Sequence, residues 1–197
     1  MTIPAHEPKF YWRIADAAYA KDPAHYVEEH LNDIDYVEGS RIGDWRIRLF
    51  RDNSNQSLIA SFRGTQWSNA RNWFDNIGHI LIDPKKLHRR MKKKLAAWSE
   101  KYQLPICAYV GHSAGGFHAV RVNRKVKEIF RITFNAHKAK SGEHNWNFRT
   151  KDDSVSKHWL SGSKPYRYIT VGNGGHPLND FKPLMRNVLW DKDTKYV

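Results

Sequence analysis

Hydrophobic residues recur at two different spacings along this chain. Trp45, Ile47 and Leu49 alternate with arginines, which is typical of a strand with one buried face. A second strand is predicted at Ser57–Phe62, after a short polar turn, so the two strands are expected to form a hairpin. Farther along, Leu87–Tyr102 places apolar residues on one face of a helix and basic residues on the other.

The remaining predicted elements alternate between helices and short strands. A first helix is predicted at Phe10–Lys21, where Asp22-Pro23 is a stop signal. The others are the start of a helix at Asn72–Ile82, a strand at Pro105–Val110, a helix at Phe117–Lys127 and strands at Ile129–Phe134, Asn145–Thr150 and Tyr166–Val171. This order predicts an α/β fold with a mostly parallel central sheet flanked by helices. Residues 1–197 are expected to form a single domain.

Charge and cysteine content limit the classes of protein to which this chain can belong. The formal net charge of +13 favours anionic partners such as phospholipid headgroups or nucleic acid, although a solvated basic helix face would produce the same number. The single cysteine, Cys107, excludes an intrachain disulfide and provides no zinc cluster. No apolar run reaches the roughly 18 residues of a membrane span, and no signal peptide is visible, which predicts synthesis in the cytoplasm.

The segment Gly111-His112-Ser113-Ala114-Gly115 carries the clearest chemical signal in the chain. A predicted strand runs into it and a predicted helix leaves it. In that context, Gly-x-Ser-x-Gly indicates the nucleophile elbow of α/β-hydrolases. The glycines are needed because the serine occupies a strained turn in which neighbouring side chains would collide. Ser113 is therefore the predicted nucleophile.

A nucleophilic serine needs a base and an acidic residue that orients the base. In α/β-hydrolases these follow the serine in the order acid, then histidine. His176 follows the last predicted strand in a glycine-rich loop, so it is the predicted base. Asp152 and Asp153 directly follow the strand Asn145–Thr150, and this argument alone leaves both open as the acid. Asp180 comes after the histidine and is expected to serve a local turn.

Five segments match, in order, the motifs of one known family. They are Ser61-Phe62-Arg63-Gly64-Thr65, Asn72-Trp73-Phe74-Asp75-Asn76, Leu87-His88-Arg89-Arg90-Met91, Gly111-His112-Ser113-Ala114-Gly115-Gly116 and Asp153-Ser154-Val155. They resemble the Phe-Arg-Gly-Thr, Asn-Trp-x-x-Asp, Val-His-x-Gly-Phe, Gly-His-Ser-Leu-Gly-Gly and Asp-x-Val motifs of the class 3 lipases, the fungal-type lipase and phospholipase family. The last of these resemblances assigns the acid to Asp153 rather than Asp152.

The resemblance also implies an oxyanion hole and a compact site. Thr65, by its place in the motif, would contribute its backbone N–H and hydroxyl, and the N–H of Ala114 would be the second donor. Only twelve residues separate Asp75 from His88, which implies little or no lid. One departure from the family is Asn135, which stands at the glycine of the family's Thr-Phe-Gly-Ala-Pro segment.

Together these features predict a serine carboxylic ester hydrolase that acts on lipid esters, as a phospholipase or lipase, with no cofactor and no metal. The positive charge and the tryptophans Trp67, Trp73 and Trp159 favour a glycerophospholipid substrate and peripheral contact with an anionic membrane surface. The alternatives are a short-chain esterase or thioesterase, and a basic protein that binds nucleic acid on a hydrolase scaffold. A pure binder would not need the ordered triad, which argues against the last alternative.

Overall fold

Helices and strands alternate along the chain in the computed structural model, which describes residues 4–64, 84–136, 144–153, 169–175, 177–186 and 188. In chain order they are α1 (Pro8–Ala17), α2 (Pro23–His30), β1 (Ile34–Ile42), β2 (Trp45–Asp52), β3 (Ser57–Phe62), α3 (Pro84–Tyr102), β4 (Ile106–His112), α4 (Ala114–Arg121), β5 (Phe130–Phe134), β6 (Asn145–Arg149), β7 (Ile169–Thr170), a 3-10 turn (Leu178–Asp180) and α5 (Phe181–Leu184). The predicted helix at Asn72–Ile82 lies outside the described residues.

In the described part of the chain, seven strands form one sheet in the spatial order β1 to β7. The pairs β1–β2 and β2–β3 are antiparallel, which confirms the predicted hairpin, and each pair from β3 to β7 is parallel. The carboxyl ends of β3 to β7 therefore share one edge of the sheet, where sites form in open α/β folds. The predicted α/β architecture, a mostly parallel sheet flanked by helices, is confirmed.

Helices cover both faces of this sheet because successive strand residues point in opposite directions. Leu49 and Phe50 are consecutive in β2, and both are fully buried. Phe50 packs with Ile14 of α1 on one face. Leu49 packs with Trp98 of α3 on the other face, where α4 also lies. Two hydrophobic cores thus fix the sheet, and α4 is held on the same face as α3.

Two elements differ from the sequence predictions. The Asp22 carboxylate accepts hydrogen bonds from two backbone N–H groups of the first turn of α2, and Pro23 is the first residue of that helix. Asp22-Pro23 therefore starts a second helix, whereas α1 already ends at Ala17 rather than at the predicted Lys21. The strand β1 was not predicted. It is a largely half-exposed edge strand that contains Glu38 and Gly39, residue types that are depleted in strands.

The helix after the nucleophile also begins earlier than predicted. The sequence pattern favoured Phe117–Lys127, whereas α4 covers Ala114–Arg121. Its three additional N-terminal residues include two glycines, which lower helix propensity and masked the start of the helix. The consequence is that α4 begins directly after Ser113. Among the described residues, no helix is both long enough and apolar enough to cross a membrane.

Candidate active site

Ser113 lies in the turn between the end of β4 and the start of α4. Its backbone angles are φ 55° and ψ −129°, a region that non-glycine residues rarely adopt. Its N–H donates to the Phe134 carbonyl at 3.0 Å, and its carbonyl accepts from the Phe117 N–H at 3.3 Å. The neighbouring strand and the first helical turn therefore hold the strained conformation. This is the backbone geometry of a nucleophile elbow.

Close backbone packing surrounds this turn. A Cβ atom placed on Gly115 would overlap the Phe62 carbonyl oxygen, and one placed on Gly111 would lie 2.7 Å from the Gly116 nitrogen. Neither position leaves space for a side chain. The helix α4 thus packs directly on the backbones of β3 and β4, which explains why the serine is flanked by glycines.

Two backbone segments border Ser113 where an oxyanion hole is expected. Ala114 is the first residue of α4, and the N–H groups of a first helical turn have no acceptor within their helix. Gly64 lies on another side, since a Cβ placed on it would be 3.2 Å from the Ser113 Cβ. The predicted donor Thr65 follows Gly64 in the chain but lies outside the described residues. The structure therefore places the residue before Thr65 against the nucleophile.

Tyr19 belongs to no recognisable sequence motif, but its hydroxyl contacts both Gly64 and His112. Its Oη accepts a hydrogen bond from the Gly64 N–H at 2.8 Å and lies 2.9 Å from His112 Nδ1. Because the amide can only donate, the Tyr19 oxygen is the acceptor in the first of these contacts. Burial raises the pKa of Tyr19, so the phenol keeps its proton. Tyr19 thereby ties the residue before Thr65 to the residue before Ser113.

Asp152 and Asp153 follow β6 and differ in burial. Asp153 is 0% exposed, whereas Asp152 is exposed to solvent. Because β4 and β6 are parallel, Asp153 and Ser113 both follow strand ends at the same edge of the sheet. A buried carboxylate can orient a neighbouring imidazole in low dielectric, which an exposed one cannot do as strongly.

The glycine-rich segment before His176 is bound to the loop that carries these aspartates. The Lys151 N–H donates to the Gly172 carbonyl at 2.8 Å, and the Asp152 N–H donates to the Gly174 carbonyl at 3.1 Å. His176 itself lies outside the described residues. The backbone that leads to it is thus fixed beside the loop after β6.

Asn135 connects three segments on this side of the site. Its φ of 45° lies in the left-handed region, which asparagine tolerates better than most residues. Its side chain accepts from the Thr150 N–H at 3.0 Å and donates to the Gly175 carbonyl at 3.0 Å. Thr150 Oγ1 also donates to that carbonyl at 2.6 Å, and Asp180 Oδ2 accepts from the Gly175 N–H at 2.6 Å. Asparagine therefore supplies the required φ and also two bonds that glycine could not make.

A cavity of about 330 Å³ lies beside the end of β4. Residues that line it include Asp16, Tyr19, Tyr26, His112, Pro177 and Asn179. It thus borders the residue before Ser113 and the residue after His176, and its volume is within the usual range of small-molecule sites. Among the described residues, no three His, Cys, Asp or Glu side chains are grouped so that they could hold a metal ion.

The N-terminal half of α3 is strongly basic. Its exposed cations are Lys85, Lys86, Arg89, Arg90, Lys92 and Lys93. The helix has no acidic residue before Glu100.

His88 Nε2 lies 2.9 Å from His118 Nδ1, which joins the N-terminal half of α3 to α4. Burial, with a smaller contribution from Arg121, lowers the pKa of His88 to about 4, so His88 is neutral at pH 7.

Comparison with known proteins identifies the fold. No family model and no curated protein matches the sequence. Lip2 lipase from Yarrowia lipolytica is similar in structure with a TM-score of 0.55 and 16% identity, over 91% of this chain and 89% of that chain. A mutant form of MDLA from Penicillium cyclopium has a TM-score of 0.57 and 18% identity, over 88% and 83% of the two chains. A triacylglycerol lipase with a serine protease triad as its catalytic centre has a TM-score of 0.58 and 14% identity, over 84% and 77%.

The expected resemblance to fungal-type lipases is therefore confirmed at the level of the fold. The structure places Ser113 and Ala114 together in one turn, and it places Asp153 at the same sheet edge. Thr65 and His176 lie outside the described residues and stay predictions. Tyr19 and Asn135 are additional residues of the site, and their contacts join distant parts of the chain.

Proposed function

We propose that this protein is a serine carboxylic ester hydrolase that acts on lipid esters. The observation that carries the proposal is the backbone of Ser113, held at φ 55° in a glycine-packed strand-to-helix turn. A strained conformation persists only where the surrounding structure imposes it, and such strain clusters at functional sites. The fungal lipase fold supports the assignment.

In the proposed mechanism, Ser113 Oγ attacks the ester carbonyl while His176 accepts the hydroxyl proton. Asp153 orients the imidazole and stabilises its protonated form. The backbone N–H groups of Ala114 and Thr65, with the Thr65 hydroxyl, stabilise the oxyanion. His176 then protonates the leaving alcohol, and a water molecule activated by the same histidine cleaves the acyl-enzyme.

Among lipid esters, we favour glycerophospholipids over triacylglycerols. The basic half of α3 is joined to α4, the helix that begins at the nucleophile. Each Lys or Arg near an anionic bilayer contributes about 1 kcal/mol of attraction at the surface. This half of α3 would therefore hold the protein on a membrane with the nucleophile edge near the lipid.

The two adjacent aspartates provide a matched test of the triad. With p-nitrophenyl butyrate as substrate, Asp153→Asn should lower kcat by about 1,000- to 10,000-fold, because the imidazole loses its orienting charge. Asp152→Asn removes the same charge from an exposed position one residue away and should leave kcat unchanged. Equal rates for the two variants would remove Asp153 from the mechanism.

A second test addresses the lipid. At low salt the protein should bind and deacylate vesicles that contain phosphatidylglycerol and phosphatidylcholine, and both effects should weaken with salt. Replacing Lys85, Arg89 and Lys93 by glutamine should weaken binding more than replacing Arg124, Lys125 and Lys127, which carry the same charge in the loop beyond the far end of α4.

Vesicles that are neither bound nor deacylated at low salt would exclude the phospholipase assignment and leave a short-chain esterase or thioesterase. Salt-dependent DNA binding by Ser113→Ala, together with no ester turnover by the parent protein, would favour the nucleic-acid binder instead.

A further inference from the structure

The cavity beside the end of β4 has a local charge opposite to that of the whole protein. Its described lining includes the carboxylate of Asp16 and contains no lysine or arginine. The chain as a whole carries a formal net charge of +13. The Asp16 carboxylate would therefore repel an isolated anion, such as free phosphate or a fatty acid carboxylate, and would attract a cationic group.

Asp16 is held as a hydrogen-bond acceptor. The Tyr26 hydroxyl donates to Asp16 Oδ2 at 2.6 Å. Burial, and then this hydrogen bond, raise the pKa of Tyr26, so the phenol keeps the proton that it donates. A carboxylate has about four acceptor sites, so Asp16 has further lone pairs for a ligand.

The arginines near Asp16 interact with other groups. Arg13 donates to the His30 carbonyl, and the Arg63 guanidinium lies over the Tyr19 ring, 5.2 Å from its centroid. None of the ion pairs among the described residues involves Asp16. Its negative charge is thus available to a cation that enters the cavity.

The cavity also borders the end of the strand that leads to the nucleophile. The position that a Cβ on Gly64 would take lies 2.6 Å from Tyr19 Oη and 3.2 Å from Ser113 Cβ. The Tyr19 hydroxyl and Ser113 therefore both pack against Gly64, and no space for a methyl group remains there. Asp16 lines the same cavity as Tyr19, and its carbonyl accepts from the Tyr19 N–H at 2.8 Å. The cavity therefore has Asp16 in its lining together with His112, the residue before the nucleophile.

We propose that this cavity binds the ammonium group of a zwitterionic glycerophospholipid, with Asp16 as its counter-ion. Tyr26 and Tyr19 line the same space, and tyrosine rings stabilise alkylammonium groups. The ammonium group of a choline or ethanolamine headgroup is separated from the ester carbonyl by several bonds, so it can occupy a cavity beside His112 while the ester lies at Ser113. The inference rests on the proposed lipid hydrolase function and names its substrate class.

Headgroup preference tests the proposal directly. Monomeric dihexanoyl phosphatidylcholine and dihexanoyl phosphatidylglycerol share their ester groups and differ in the ammonium. The wild type should have a kcat/KM about tenfold higher for the choline lipid, and Asp16→Asn should remove this preference. Asp44→Asn, in which a 96% exposed side chain in the β1–β2 turn loses the same charge, should keep it.

Equal kcat/KM values for the two lipids in the wild type would overturn the proposal, and this result does not depend on the folding of any variant. A full choline preference in folded Asp16→Asn would overturn it as well.

A binding measurement separates this proposal from the proposed function. Saturation-transfer NMR should detect the methyl protons of phosphocholine on Ser113→Ala, and the signal should fall when Asp16→Asn is added. A signal that depends on Asp16, in a protein that hydrolyses neither lipid nor p-nitrophenyl butyrate, would support the ammonium site and contradict the hydrolase. Ester turnover without any methyl signal would support the hydrolase and contradict the ammonium site.

Discussion

The turn that carries Ser113 and the loops around Asp153 lie at the same edge of the sheet, but different interactions hold them. Around Ser113, the backbones of β3, β4 and α4 are in such close contact that Gly115 has no space for a methyl group. Around Asp153, the side chains of Asn135 and Thr150 fix the neighbouring segments by hydrogen bonds. One half of the site depends on packing and the other on individual polar groups.

This difference explains why the Ser113 half of the site could be predicted from the sequence more easily than the Asp153 half. Close backbone packing requires glycine at particular positions, so it produces a spacing that can be recognised. A hydrogen bond between loops requires only a suitable donor and acceptor, and many residue types supply these. Substitution of the packed glycines should therefore mainly cost stability, whereas substitution of polar groups at the site should mainly cost rate.

The largest effect is expected from Gly115→Ala. The added Cβ would overlap the Phe62 carbonyl oxygen, so α4 must shift from β3, at a cost of about 3 kcal/mol or more in the free energy of unfolding. Urea denaturation measures this cost. Gly43→Asn is the control, because a Cβ at Gly43 has nothing within 4 Å and asparagine tolerates its φ of 64°. A Gly115→Ala protein as stable as Gly43→Asn would show that packing does not hold the elbow.

Tyr19→Phe should lower kcat by about tenfold with little change in KM. Without the hydroxyl, the Gly64 N–H and His112 Nδ1 lose a shared partner, at about 1–3 kcal/mol for each group left unsatisfied. Steady-state kinetics on p-nitrophenyl butyrate separates kcat from KM.

The control for this variant is Tyr102→Phe. It removes a 2.7 Å hydrogen bond between Glu38 and Tyr102, the last residue of α3. It should lose stability but keep kcat. Parallel losses of stability with unchanged kcat in both variants would show that Tyr19 does not position the oxyanion region.

Asn135→Gly should lower kcat by several-fold to about tenfold, because the Thr150 N–H and the Gly175 carbonyl each lose a bond of about 1 kcal/mol. Glycine retains the left-handed backbone. Asn123→Gly is matched to it, since Asn123 has φ 53° and donates to the Tyr109 hydroxyl away from Asp153. If both variants lower the unfolding midpoint but neither changes kcat, Asn135 does not organise the acid–base half.

The smallest expected effect is the contribution of His88 to the pH dependence of stability. Its pKa in the folded protein is about 4, below the ordinary 6.5, because it is half-buried and lies near Arg121. Between these values the unfolded chain binds a proton that the folded chain does not, so stability falls as pH is lowered from 6.5 to 4. The thermal midpoint of the wild type should therefore fall more steeply over this range than that of His88→Gln. Equal slopes would contradict the assigned pKa.

The sequence was informative where structure depends on local pattern. The alternation at Trp45–Phe50 and the strand-to-helix context of Ser113 led to the sheet and to the candidate nucleophile. The sequence was uninformative where a residue acts through contacts with residues that are far from it along the chain. Tyr19 and His112 are 93 positions apart, and Asn135 and Gly175 are 40 apart, so no local spacing relates them. The edge strand β1 was missed because half-exposed strands need no strong hydrophobic alternation.

The most direct test of the central claim is labelling with a fluorophosphonate probe, followed by mass spectrometry of the labelled peptide. The wild type should be labelled at Ser113, Ser113→Ala should not be labelled, and His176→Ala should be labelled much more slowly because its serine has no base. Equal labelling of all three proteins, or a label on another residue, would contradict the assignment of Ser113 as the activated nucleophile.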